Sequence, residues 1–212
     1  MLTMNTQSIS PVLILVFIIL SVFIGGCTSQ TPPVSPVIQT PLPQTGTELS
    51  KIEPSQMVLQ PSELPSTVTL VEKSERNISE MRSWAVDHGW KKGYWAMFRK
   101  NDPNSPPGTI FEQIISVYPS ENITLIIPNT IEAYKNGMIR ENNANMTLAV
   151  LPSPGIGDSS NALVFSDKSD NTRMYLISFV KKDVYQDFRT NGTAADYETA
   201  RQMARAAAAK IP

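Results

Sequence analysis

The chain has 212 residues, a mass of 23.4 kDa, a formal net charge of -1 and a pI near 5.9. That size allows one domain with appendages, and that charge excludes the basic surplus of a nucleic-acid-binding domain. A single cysteine, Cys27, and a single histidine, His88, exclude an intrachain disulfide, a Cys-based zinc site and a His-rich metal site.

Charge is also unevenly placed. No Asp, Glu, Lys or Arg occurs from Met1 to Thr47, and every charged residue lies from Glu48 onward. Pro11 to Ile24 is an apolar run broken only by Ser21, about the length of a signal-peptide core and short of the roughly 20 residues of a spanning helix. The run closes on Ile24-Gly25-Gly26-Cys27, which resembles the lipobox of secreted lipoproteins: an aliphatic residue, two small ones, then the cysteine that takes the lipid. The resemblance implies cleavage after Gly26, a lipid on Cys27, and a protein on the outer face of the cytoplasmic membrane. One feature departs from the pattern, because the first ten residues hold no Lys or Arg where a leader normally opens with positive charge.

Residues 27–54 read as a tether. The part from 28 to 47 is uncharged and rich in Pro, Thr, Ser and Gln, with too little apolar surface to offset the entropy of ordering. Its prolines favour extended polyproline II geometry, at about 3.1 Å per residue. A single domain is expected over 55–212.

Ser66 to Glu72 alternates and is β-branched, a strand signature. The recurrence of Ile78, Met81, Trp84 and Ala85 predicts a helix from Asn77 to His88, closed by Gly89 as a left-handed cap. Lys91 to Lys100 alternates, with Tyr94, Ala96 and Phe98 on one face and Trp95, Met97 and Arg99 on the other. After a turn-rich break at 101–108, Thr109 to Tyr118 is its expected hairpin partner. A helix is predicted over Glu121 to Met138 with Ser120 as cap and with Pro128 kinking or dividing it.

Thr147 to Leu151, Ala162 to Ser166, Arg173 to Val180 and Val184 to Thr190 read as four more strands, with a turn at Asp167 to Asp170. Thr193 with Asp196 forms a capping-box variant ahead of an Ala-rich final helix to Ile211, whose stripe is Tyr197, Ala200, Ala204, Ala207 and Ile211. The expected fold class is therefore α+β, a mainly antiparallel sheet of about six to seven strands flanked by two or three helices.

Catalytic constellations lack parts. His88 alone cannot build a HExxH-type site, and beside Gly89 it reads as a helix-end residue. Gly157-Asp158-Ser159 superficially resembles an esterase nucleophile block, yet no histidine follows His88, so Asp158 and Ser159 read as turn residues. No enzymatic activity, metal or cofactor is expected. The informative cluster is aromatic: Trp84, Trp90 and Trp95 fall within twelve positions. Either they belong to the core, or Trp90 and Trp95 share the face opposite Tyr94 and Phe98 as a platform for a carbohydrate or protein partner. Four glycosylation sequons, at Asn77, Asn122, Asn145 and Asn191, sit at predicted element boundaries.

The Pro-flanked opening, the Gly89-Trp90 helix end, the Gly93-Tyr94 to Phe98 strand, the Gly157-Asp158-Ser159 turn, the last hairpin and the Ala-rich helix together resemble small, uncharacterised surface lipoproteins of methanogen-type archaea. That resemblance implies an α/β sandwich of the Mog1/PsbP-like class. It implies a noncatalytic role: docking to an unidentified protein, or binding a small ligand or carbohydrate as an accessory to a transporter or sensor.

Overall fold

The computed structural model describes residues 51–101, 108–140, 145–169 and 172–212. The leader, Cys27, the Pro-rich segment, the break at 102–107 and Asp170 lie outside the described residues. Seven strands form one antiparallel sheet: β1 (Val68–Arg76), β2 (Lys92–Lys100), β3 (Thr109–Val117), β4 (Met146–Leu151), β5 (Ser159–Asp167), β6 (Arg173–Lys181) and β7 (Val184–Asn191). Among the described residues four α-helices accompany them: α1 (Pro54–Met57), α2 (Ser83–Asp87), α3 (Ile123–Arg140) and α4 (Ala194–Ala209). The class is α+β, with the expected Ala-rich helix at the end.

In space the order is β1-β2-β3-β7-β6-β5-β4, two antiparallel meanders joined where β3 pairs with β7. Both expected hairpins are present, β2 with β3 and β6 with β7. The remaining connection decides the layers. From β3 the chain must reach β4 at the far edge, four strand intervals or about 19 Å away. At 1.5 Å per residue the 18-residue α3 spans about 27 Å, enough for that crossing. It therefore lies over β7, β6 and β5, and its apolar side joins two clusters there. One unites Ile123, Ile126 and Ile127 with Tyr118, Val180 and Tyr185, and the other sets Ile131 and Tyr134 against Leu163, Phe165 and Leu176.

The opposite face is sealed by α4 and by the N-terminal segment. Ala200, Met203, Ala204, Ala207 and Ile211 are fully buried against Ala96, Phe98, Phe111, Ile177, Phe179 and Phe188, together with Met57, Val58 and Leu59. The small alanines let the helix approach the sheet closely. Both ends of α4 are held by lysines. At the start, Lys100 Nζ lies 3.0 Å from Asp196, whose carboxylate also accepts the Thr193 N–H at 2.7 Å in the predicted capping box. At the end, Lys181 Nζ donates to the carbonyls of Ala208 and Ile211, where the helix dipole favours a cation.

The N-terminal segment is fixed by a buried amide. Gln113 Oε1 accepts the Leu59 N–H at 3.1 Å, while its Nε2 donates to Met57 O at 3.1 Å and to Gln186 Oε1 at 2.8 Å. Further upstream Ile52 packs on the same core and Glu53 pairs with Lys92 at 2.9 Å.

One local expectation is corrected, and of the two outcomes expected of Pro128, kinking or dividing, the second is excluded. The helix foreseen over 77–88 is a 3₁₀ turn at Ile78–Glu80 followed by the short α2, because Ile78 faces solvent and gives the first part nothing to pack against. Gly89 caps it as expected, with φ +79°. Pro128 does not divide α3: its ring is on the exposed side, and the isoleucines on the buried side hold the helix together despite one lost hydrogen bond.

Candidate functional site

Because α3 covers only the β7-β6-β5 part of its face, the other half of that face stays partly open. The registers place Trp95 and Met97 of β2, Glu112 and Ile114 of β3, and Asp187 and Arg189 of β7 there, with Met97 opposite Glu112 and Glu112 opposite Arg189. Trp95, Met97, Ile110, Glu112 and Arg189 are half-buried, whereas their neighbours on the sealed side, Ala96, Phe98 and Phe111, are fully buried. Arg76 of β1, also half-buried, borders this area.

Behind the opening lies a hydrogen-bonded core. Asp187 Oδ1 accepts the Tyr185 hydroxyl and, at 2.6 Å, the Ser178 hydroxyl; Oδ2 lies 3.5 Å from Arg189 Nη2. Tyr185 also reaches Thr130 on α3 at 3.4 Å. The buried carboxyl thus takes two hydroxyls on Oδ1 and turns Oδ2 toward Arg189, which it helps to orient. The guanidinium lies over the Tyr134 ring at 5.9 Å and remains 31% exposed, while its Nε–H meets no acceptor among the described residues.

Electrostatics reflect this packing. Burial raises the Tyr185 hydroxyl well above its ordinary value, and the neighbouring Asp187 charge raises it further; burial and Asp187 do the same to Tyr118. These tyrosines are neutral across the physiological range. Burial disfavours the Arg189 charge, yet Tyr134, Asp187 and Glu112 outweigh it and hold the guanidinium above its usual value. Arg76 is shifted the other way, by burial first and by Arg189 second. The opening thus combines an aromatic ring, a thioether, two arginines and Glu112, an arrangement suited to holding a polar or aromatic surface.

The two tryptophans proposed as a platform are separated. Trp90 is only 6% exposed, its Nε1–H donates to Ser116 Oγ at 3.2 Å, and it belongs to the α3 cluster. The cause is Gly93: a Cβ there would stand 2.9 Å from the Trp90 ring, so the missing side chain makes the seat for the indole. Trp90 is corrected to a core residue, and Trp95 alone stays accessible. His88 is a fastening residue. Its Nδ1–H donates to Trp84 O at 2.7 Å and its Nε2 accepts from Asn129 Nδ2 at 2.9 Å, while Asn122 Nδ2 donates to the His88 carbonyl at 3.0 Å. Asp158 accepts the Lys182 N–H at 2.7 Å in a turn where Gly157 has φ +65°.

Of the sequon asparagines, Asn77, Asn145 and Asn191 are exposed, and Asn122 is half-buried in its bond to His88. Among the described residues no group of three or more His, Cys, Asp or Glu is placed to hold a metal ion, and no helix is long and apolar enough to cross a membrane.

The Asp187 network was missed from sequence. Its one signal is Tyr185, Asp187 and Arg189 recurring at period two within a strand that carries polar residues on both faces, a pattern that does not show which face is buried.

No protein-family model and no curated protein matches the chain. A solved structure does share its fold. The extracellular domain of PknH from Mycobacterium tuberculosis superposes with a TM-score of 0.50 at 11% identity, covering 72% of this chain and 93% of that one. An uncharacterised protein from Mycobacterium smegmatis, the Rv0999 ortholog, gives a TM-score of 0.43 at 11% identity, covering 75% and 96%. At such identity the first match establishes an architecture and no more.

Proposed function

We propose that the chain is a membrane-tethered, extracytoplasmic, noncatalytic binding module, anchored through lipid on Cys27 and held off the membrane by the Pro-rich residues 28–47. The observation that carries the binding role is the half-open sheet face, where Trp95 and Met97 stand beside Arg189, Arg76 and Glu112 on a rigid scaffold. A half-exposed tryptophan next to an oriented arginine is the composition of an interface anchor. Three features support the placement: the lipobox-like Ile24 to Cys27, the charge-free proline spacer, and a fold shared with a domain described as extracellular. The proposed partner is a protein on the cell surface. A second reading, a carbohydrate- or small-ligand-binding accessory, is favoured by Trp95 alone, since sugars stack on accessible indole rings.

Two measurements test the proposal. The wild-type chain should partition into the detergent phase with the mass of a lipidated mature protein, and Cys27→Ser should move to the aqueous phase. Mild crosslinking on intact cells should recover a stoichiometric partner with wild type and lose it with Trp95→Ala at an unchanged melting temperature. Equal recovery with Trp95→Ala would refute the binding face. Stabilisation of the chain by a sugar panel, lost with Trp95→Ala, would favour the carbohydrate reading.

A further inference from the structure

The two edges of the sheet are protected very differently. Edge strand β1 carries Glu72, Lys73, Glu75 and Arg76 and a bulge between Leu70 and Glu72, devices that discourage another strand from pairing. Edge strand β4, Met146-Thr147-Leu148-Ala149-Val150-Leu151, has no charge, no proline and a regular register with β5. Its Val150 is 65% exposed, the highest among the exposed large apolar side chains described. An uncharged, regular edge with an uncovered valine offers a row of backbone donors and acceptors to a further strand.

We propose that β4 pairs with β4 of a second copy of this chain, antiparallel about a two-fold axis at Leu148. Several observations select this occupant. A two-fold antiparallel pair sets identical strands against each other, which β4 tolerates because no like charges meet. The axis stands perpendicular to the sheet, so residues of the same face must lie opposite one another. Centring on Leu148 puts Leu148 opposite Leu148, Met146 opposite Val150 and Thr147 opposite Ala149. Each exposed Val150 is thereby covered by a methionine that already packs on the Leu163, Phe165 and Leu176 cluster. Centring on Ala149 would instead bring Met146 opposite Pro152, which has no N–H to give. Six residues make a small interface, so the dimer is concentration-dependent.

The test uses the full chain in detergent, produced without glycosylation so that Asn145 is bare. Native mass spectrometry over a concentration series should show a growing dimer, and Val150→Lys should weaken it roughly tenfold through two lost apolar pairs and two added charges. Because Val150 is exposed, that variant should melt as wild type does. Under mild oxidation Leu148→Cys should give a disulfide-linked dimer, since opposed Cα atoms in a strand pair stand about 4.5–5.5 Å apart. Glu75→Cys on the other edge should not, and wild type reports any linkage through Cys27. A chain monomeric across the series, or Leu148→Cys linking no more than Glu75→Cys, would overturn the proposal. So would a dimer indifferent to Val150→Lys, or a foreign polypeptide joined at Leu148→Cys in place of a second copy.

Discussion

The two faces of the sheet are made by alternate residues of the same strands, yet they have different tasks. On one side Ala96, Phe98, Phe111 and Phe188 are closed over by α4 and residues 57–59, and even the polar Gln113 and Gln186 are consumed in fastening that segment. On the other side α3 crosses to β4 and leaves the β1-β2-β3 margin half open, with Trp95 and Met97 beside a salt-bridged arginine. A connection imposed by strand order thus decides which side chains of one strand serve stability and which are free to meet a partner.

The contrast breaks most visibly at its extremes. Phe98→Ala on the sealed face should lower the unfolding free energy by about 3–5 kcal/mol, the cost of a large buried cavity. Asp187→Ala, behind the open face, should cost about 3 kcal/mol, because Tyr185, Ser178 and Arg189 lose their common acceptor. Both are read from chemical denaturation at constant slope. Gly93→Ala should cost about 1–3 kcal/mol by forcing a Cβ against the Ile115 carbonyl and the Trp90 ring, with a changed tryptophan emission that Trp95→Ala does not reproduce. Trp95→Ala itself should cost about 1 kcal/mol or less, since the ring is only half-buried.

A comparably small effect concerns Asp196 at the start of α4. Burial opposes its ionisation, but the Thr193 N–H, Lys100 and the Thr193 hydroxyl outweigh burial and hold the carboxyl below its ordinary value. A depressed native value means the stabilisation is complete above the unfolded-state pKa of about 4 and is lost as pH falls through the native value. Asp196→Asn should therefore destabilise by about 1 kcal/mol at neutral pH, and the gap to wild type should close in acid.

Much of the architecture could be read from local pattern. Alternation in β2, β3, β6 and β7 and the Thr193–Asp196 box are short-range signals, and both hairpins and α4 appear where those signals put them. The pairing of β3 with β7 depends on residues some 75 positions apart, and no local periodicity encodes it. The site was partly legible for the same reason. Trp95 could be assigned to the face opposite Phe98 from alternation within one strand. The burial of Trp90 depends on how a residue outside the strand folds over Gly93, and the Asp187–Arg189 support depends on which half of the sheet α3 covers.

The central claim is that the half-open face meets a partner outside the cell, and site-specific crosslinking tests it most directly. A photoreactive residue at Met97, in the full chain on intact cells, should yield a discrete adduct that the same residue at Leu125, exposed on α3, does not. An adduct at Leu125 and none at Met97, or identical patterns from both, would contradict the account.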